Sequence, residues 1–354
     1  AAMDLPDVEG PLPGSALPTA LAPPAEAPAL LVKKLKGSFG AVVEGSPALT
    51  PASLQHPDVG RQLRAIWHQS GILIVRGLTG MTPEDLVAIS AHFGEVEQEL
   101  TGGRDHAKIP GVPVVRLGNV RDAGGRLISV PSPSAARLPP GGSCRYVPSE
   151  RLPIWHTDGC HRAQPPAGSA FFCRRAPAEG AETCFADAAG AWDSLSHEDQ
   201  RRLSDLECVC SLAHHDRKLN LRKPDYPTLS PEQRAANPAR RVPLVLKHPA
   251  SGRSAVYGFN SSTCCIVPRG SPVSQEMMDR WDLEGVEDES VSIFRDLLPR
   301  FTAPELTVVW HWSEGDLVVW DNRSTLHCGT GYDEQRYVRE MWRTTILPPS
   351  GQTT

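Results

Sequence analysis

Hydrophobic positions along this chain change period as they run. In residues 61–78, RQLRAIWHQSGILIVRGL, apolar residues first recur at helical spacing and then stand four in a row between Gly71 and Gly77. That predicts a short helix running into a strand over residues 71–75, with Gly77 as the stop. The next stretch, MTPEDLVAISAHFGEVE, offers Thr82 as an N-cap and Pro83 at the first helical position, with Gly94 to close the helix. VPVVRLGNV reads as a strand. After His156 short apolar runs become frequent: GSAFFCRRA, VPLVLKHPASGRSAVYGF, LTVVWHWSEGDLVVWDN and WRTTIL, each bounded by Gly, Pro or Asn. ADAAGAWDSLSHEDQRRLSDL and VSQEMMDRWDLEGVEDESVSIFRDLL interrupt them with helical spacing. Many short strands with helical insertions predict a mainly β chain of the α+β kind, a jelly roll rather than a doubly wound sheet. The absence of GxGxxG and GxxxxGK[ST] disfavours nucleotide-binding folds.

Residues 1–34 are dominated by Ala, Pro and Leu and are expected to form a disordered tail, since proline at that density blocks helix and sheet. The tail carries acids and no arginine through residue 30, which argues against a mitochondrial transit peptide. Residues 35–350 are expected to form one domain. Two stretches, near 120–152 and 216–242, interrupt the apolar pattern with Gly, Pro, Ser and Arg and are expected to act as lids.

Composition narrows the class. With 354 residues, 40% hydrophobic and 22% charged, the chain can bury a sizeable core. A net charge of −5 gives no footprint for nucleic acid, and no basic block or long apolar run points to a membrane. Nine cysteines without a CxxC pair read mostly as small buried hydrophobes in a reducing compartment, so a cytoplasmic location is expected.

The candidate chemistry starts at His156-Thr157-Asp158. In an extended segment residues i and i+2 share a face, so an imidazole and a carboxylate can converge on one point. A bare HxD is common and does not make a metal site. His327 lies far downstream in GDLVVWDNRSTLHCGT, in a loop after the strand that ends near Trp320. In a jelly roll, distant strands face each other, and His156, Asp158 and His327 would then form a two-His, one-carboxylate set suited to Fe(II), with open positions for a co-substrate and O2. Arg339 and Arg343, four apart on a strand, would share a face and present guanidinium forks to anions, unless internal acids take them.

WHTDG, GAETCFADAAGAWDSL, GDLVVWDNRSTLHCGT and REMWRTTI together resemble the TauD/TfdA family of Fe(II)/2-oxoglutarate-dependent dioxygenases, the taurine and aryloxyalkanoate dioxygenases. ILIVRGL and TPEDLVAISAHFGEVE are similar to that family's N-terminal part, and the likeness runs from about residue 35 to 347. The resemblance implies a double-stranded β-helix. It implies His156, Asp158 and His327 as iron ligands, and Thr183 and Arg339 as holders of the distal carboxylate of 2-oxoglutarate. It also implies Arg343 as the anchor for the substrate's anionic group, and His106 as a substrate contact. It further implies an oxidoreductase that consumes 2-oxoglutarate and O2, releases succinate and CO2, and hydroxylates a small carboxylate or sulfonate. Nucleic acid and membrane are not expected as partners; a homo-oligomer, dimer or tetramer, is. Alternatives are the same cofactors used for desaturation, cyclisation or epimerisation, and a non-catalytic jelly-roll binding protein. An intact ligand and arginine set argues against the last.

Other residues have plainer readings. His161 reads as a neighbour of the ligand segment, and His214-His215 as a surface or strand-edge pair. Trp155, Trp310, Trp312 and Trp320 read as core packing. Phe259 and Asn260, which follow a strand, are candidates to face the substrate.

Overall fold

Residues 28–37, 39–99, 105–130, 155–222, 228–260, 262–279 and 289–349 are described by a computed structural model. Residues 1–27 of the expected tail and 131–152 of the expected first lid lie outside it. In chain order the strands are β1 (Ala29–Lys36), β2 (Phe39–Ser46), β3 (Ile72–Val75), β4 (Glu95–Val96), β5 (Val115–Gly118), β6 (Gly168–Arg175), β7 (Thr183–Asp187), β8 (Leu206–Cys210), β9 (Arg240–Pro243), β10 (Val245–Lys247), β11 (Ser254–Val256), β12 (Thr263–Pro268), β13 (Thr307–Trp310), β14 (Leu317–Asp321), β15 (Thr325–Gly329) and β16 (Glu340–Leu347).

The large sheet runs β1-β2-β3-β14-β6-β16-β4, with β5 beside β16. A smaller sheet, β13-β7-β15, faces it, and β12-β8-β9 and β10-β11 complete the strand set. This is the mainly β jelly roll with helical insertions that the apolar pattern predicts.

Period-two alternation explains why the strands of the large sheet read as unbroken apolar runs. Ile72, Ile74, Phe171, Cys173, Val318, Trp320 and Met341 point inward and pack with Phe185 and Trp310 of the smaller sheet. Their neighbours Leu73, Val75, Ala170, Phe172, Leu317, Val319 and Trp342 point outward, under Leu63 and Trp67 of the helix Pro57–Ser70 and Leu86 and Ile89 of the helix Pro83–Ser90. Trp67 is fully buried there, and truncation to Ala costs about 3–5 kcal/mol by the usual range for core aromatics. The first helix ends at Gly71, whose φ of 71° turns the chain into β3.

Several details differ from expectation. β1 begins at Ala29, so residues 29–34, assigned above to the tail, are strand: Leu31, Val32 and Lys33 pair with Glu44, Val43 and Val42 of β2. The helix Pro83–Ser90 has the predicted cap, with Thr82 and Asp85 exchanging side-chain and backbone hydrogen bonds. It stops at Ser90, however, because His92 and Phe93 bond to the carbonyls three residues back and tighten the last turn. Gly94 is instead a close-approach residue, since a Cβ there would sit 2.4 Å from the Leu347 carbonyl oxygen. Residues 216–242 are not one irregular stretch. The helices Leu212–Arg222 and Pro231–Ala236 and strand β9 occupy most of it, the second helix closed by a Ser230/Gln233 capping box. Residues 223–227 lie outside the described set. His327 is in strand β15, not in a loop, because Thr325–Gly329 pairs residue for residue with β7. Seven cysteines are free and buried, as expected of small hydrophobes, while Cys184 is disulfide-bonded.

Candidate active site

The histidines meet across a backbone bridge. The His156 and His327 amides each donate to the other's carbonyl at 2.9 Å, and their rings lie 4.2 Å apart between centroids. Asp158 follows in a bend. Its Oδ1 is 4.0 Å from His156 Nε2 and its Oδ2 3.9 Å from His327 Nε2. One ligand atom from each of the three residues falls within 4.8 Å of the others, and no other group of metal-binding side chains does so among the described residues. Two imidazole nitrogens and one carboxylate oxygen around a single point fit Fe(II).

Charge is arranged so that Asp158 and His327 need not lose protons at neutral pH. Burial, and then the neighbouring His156, pushes His327 down to about 3, so it is a neutral donor. Burial would raise Asp158, but Arg343, with the two histidines, outweighs it and holds the carboxyl well below its ordinary range.

Thr157, between the two ligands, turns the other way. Its buried hydroxyl reaches the carbonyls of Asn322 and Thr325 at 3.3 and 3.2 Å, and its amide donates to Phe259 O at 2.7 Å. The hairpin turn it grips is pinned by a buried ion cluster, in which Asp321 accepts from Arg323 at 2.8 and 2.6 Å and pairs with His248 at 2.9 Å.

The two arginines differ. Arg343 lies on β16 opposite Phe171 of β6, and its Nη2 donates to Asp158 Oδ2 at 2.9 Å and to Ser169 Oγ at 3.1 Å. Ser169 in turn donates to the same Asp158 oxygen at 3.1 Å. Arg343 Nε is buried with no hydrogen-bond partner, so part of the fork holds the ligand and part is uncommitted. Arg339 precedes β16, and a register shift follows it at Glu340/Met341, so simple alternation does not place the two arginines on one face. Arg339 is 7% exposed, and no carboxylate pairs with it among the described residues. Burial lowers its pKa, and Tyr332 and Cys173 beside it offset this only in part. A cation so placed calls for an anion. Thr183, buried in β7, accepts the Trp312 indole N–H at 2.9 Å.

The remaining candidates are dispersed. His106 is solvent-exposed in the 3-10 turn Asp105–Ala107. The Phe259 ring, expected to face a substrate, is instead fully buried in the core, 6.0 Å from Phe301; what reaches the site is its carbonyl. Asn260 is buried, with Oδ1 taken by the Ser262 amide and Nδ2 without a partner. His161 stands outside the ligand group. His214 and His215 are helical, and His214 is buried rather than at the surface. Trp155, Trp310 and Trp320 are core, whereas Trp312 is half-buried at the site. Ser169, Thr157 and Trp312 are the site residues that sequence reasoning missed. The one usable signal was Thr157, a β-branched polar residue between two ligands. A cavity of about 620 Å³ at His68, Gln69, Ser251 and Arg253 opens on the side of the Asp321 cluster and brings no ligand group together.

Comparison with known proteins agrees with this geometry. The family described as taurine catabolism dioxygenase TauD, TfdA family matches residues 31–345. A (S)-phenoxypropionate/alpha-ketoglutarate-dioxygenase of Sphingobium herbicidovorans is 26% identical over 330 residues, covering 92% of this chain and 98% of that protein. Pentalenolactone F synthase of Streptomyces avermitilis is 25% identical, covering 88% and 94%. The crystal structure of AAD-2 in complex with Mn(II) and N-oxalylglycine superposes with a TM-score of 0.65 at 22% identity, covering 92% of this chain and all of that one, which speaks for a common fold. The chain therefore belongs to the TauD/TfdA family, and it is an Fe(II)- and 2-oxoglutarate-dependent dioxygenase.

Proposed function

We propose that this enzyme hydroxylates a small carboxylate or sulfonate, with Arg343 and its uncommitted Nε as the anion anchor and with Arg339 and Thr183 holding the distal carboxylate of 2-oxoglutarate. The observation that carries the reading is the buried Arg339 cation, beside Cys173 and Tyr332 and without a carboxylate partner among the described residues. The phenoxypropionate relative supports an anionic substrate. When bound, iron and 2-oxoglutarate supply the oxidative decarboxylation that activates O2 for insertion into a C–H bond.

The chain's own residues do the rest. Asp158 stays ionised and His327 neutral, so these two ligands are ready without proton transfer. Ser169 and Arg343 fix one carboxylate oxygen. Phe171, Phe185 and Trp320 give the inner cleft dry walls, with Trp320 4.8 Å and Phe185 6.4 Å from the His327 ring, and Phe171 4.6 Å from Trp320. His106 and Asn260 belong to this proposal as substrate contacts.

Anaerobic Fe(II) with 2-oxoglutarate should give a visible charge-transfer band that His156→Ala abolishes. If no band forms, a non-catalytic jelly roll is the better description. A panel of phenoxyalkanoates, other small carboxylates and sulfonates, scored by substrate-dependent succinate, then identifies the substrate class. Arg343→Ala with undiminished affinity for the hit would remove the anchor. The relative named as a synthase favours a second reading, in which the same cofactors desaturate, cyclise or epimerise. Product mass separates the outcomes: a gain of one oxygen marks hydroxylation, a loss of two hydrogens desaturation.

We also infer a cytoplasmic enzyme, supported by seven free buried thiols against the one disulfide-bonded cysteine, Cys184, and a homo-oligomer, dimer or tetramer. Supporting the oligomer, edge strand β1 exposes Leu31 and Val32. Light scattering on the purified protein tests the latter.

A further inference from the structure

Trp312 has no role in the reading above, yet it touches a residue that does. Its indole N–H donates to Thr183 Oγ1 at 2.9 Å. Thr183 opens the central strand of the smaller sheet, opposite Trp310 of β13 and Gly329 of β15. A hydroxyl has one proton to give. With the indole as donor, that proton must point elsewhere, and no acceptor among the described residues takes it.

The donor's identity matters. An indole N–H donates and cannot accept. A glutamine, serine or histidine in its place would let the pair reverse, with the threonine giving its proton to the protein instead of to a ligand. A lysine or arginine would also be donor-only, but its charge would compete for the same anion.

Trp312 is itself held in place. The Ser313 amide donates to Asp316 Oδ2 at 3.0 Å, and Arg76 ties the turn from outside, to Asp316 Oδ1 at 3.1 Å and to Ser313 Oγ at 3.0 Å. The Gly315 amide donates to the Cys173 carbonyl at 2.9 Å, and Cys173 is paired with Met341, two residues past Arg339. The indole plane lies near-parallel to Phe171 at 6.4 Å, and Phe171 lies under the Arg343 guanidinium at 5.8 Å.

We propose that Trp312 is a positioning residue for the co-substrate: it fixes the Thr183 hydroxyl as a donor aimed at the distal carboxylate of 2-oxoglutarate, beside Arg339. The inference rests on Thr183 and Arg339 being the holders of that carboxylate.

Trp312→Phe keeps the ring and deletes the N–H. Titration of the anaerobic Fe(II) enzyme, followed by its charge-transfer band, compares 2-oxoglutarate with pyruvate, a 2-oxo acid without the distal carboxylate. The variant should bind 2-oxoglutarate about tenfold more weakly, as expected for one misdirected hydrogen bond to a charged group, and bind pyruvate unchanged. KM for 2-oxoglutarate should rise with kcat nearly constant. Thr183→Val should lose a similar factor, and the double variant no more than either single one. Equal weakening of both acids, additive losses, or wild-type affinity in Trp312→Phe each overturn the proposal. If Thr183→Val binds 2-oxoglutarate normally, the assignment of Thr183 falls and takes the inference with it. If Thr183→Val is weak and Trp312→Phe is normal, only the positioning role falls. Trp312→Tyr, which also lacks the indole N–H, must give the same selective loss, and it serves should the phenylalanine variant not fold.

Discussion

Arg343→Met puts a number on the contact between the second arginine and the metal ligand. The substitution keeps the aliphatic length and removes the guanidinium that donates to Asp158 at 2.9 Å. The two side chains are 15% and 12% exposed, so the pair is largely desolvated. Removing one partner of a buried pair costs about 3–5 kcal/mol, and the remaining Ser169 bond to Asp158 sets the expectation near the lower end, about 3 kcal/mol for the metal-free protein at pH 7. Asp158→Asn/Arg343→Met, which deletes both charges, should be more stable than the sum of the single losses by about 2 kcal/mol or more. Urea denaturation of the four proteins in EDTA measures the cycle. Saturating Mn(II) returns a positive charge to Asp158 and should shrink the Arg343→Met penalty. The sign of the pH effect follows. With Arg343 present the folded carboxyl titrates below its unfolded value, so its stabilisation exists above that value and is lost only as pH falls through the depressed one. Without Arg343 the strongest charge opposing burial is gone, so the folded pKa moves up from its depressed value and this stabilisation is lost at a higher pH. A coupling below about 1 kcal/mol, or superimposable pH profiles for the two proteins, would refute the argument.

Three further outcomes are expected. Thr157→Val removes a buried hydroxyl that grips the Asn322 and Thr325 carbonyls; it should lose about 1 kcal/mol and bind Mn(II) several-fold more weakly by calorimetry, while Thr157→Ser retains both. Unchanged Mn(II) affinity would reduce the hydroxyl to a packing feature. Asp321→Asn breaks the buried cluster with Arg323 and His248 and should cost about 3 kcal/mol or more in urea melts; a loss under about 1 kcal/mol would count against it. Burial depresses His68 to about 4 and His327 to about 3, so the unfolded chain takes up protons first as the medium acidifies. Metal-free stability should then fall between roughly pH 6.5 and 4 by up to about 1.4 kcal/mol per pH unit for each histidine, and His68→Gln should remove one share; a flat profile contradicts this.

Much of the fold was legible because its strands obey a simple rule. β3, β6 and β14 are buried on both faces, so each is a continuous apolar run that no helix of that length would show. Capping at Thr82-Pro83 was equally plain. Iron ligands were readable as residue types at separated positions, needing only a fold that brings them together. Contacts between strands distant in sequence were not readable. Ser169 is an ordinary serine in an apolar run until β16 sets Arg343 beside it. Trp312 is one of several tryptophans in a strand-like stretch, and only the turn held by Arg76 and Asp316 separates it from Trp310 in the core. The β1 boundary was missed because local composition, rich in Ala and Pro, hid an edge strand that depends on β2 for its hydrogen bonds. Phe259 shows the reverse error: its position after a strand suggested that it faces the substrate, but its ring completes the core and only its carbonyl reaches the ligand segment.

The ligand segment 155–158 belongs to no sheet. His156 is fastened to β15, Thr157 to the β14–β15 turn and to Phe259, and Asp158 to β6 and β16. Its position is therefore set by partners that lie elsewhere in the chain, not by the residues on either side of it. The sequence leading into it can lengthen, shorten or change composition without moving the metal-binding atoms. A lineage built this way is free to vary the chain around the cleft, and with it the molecules admitted, while the oxidising centre stays where it is.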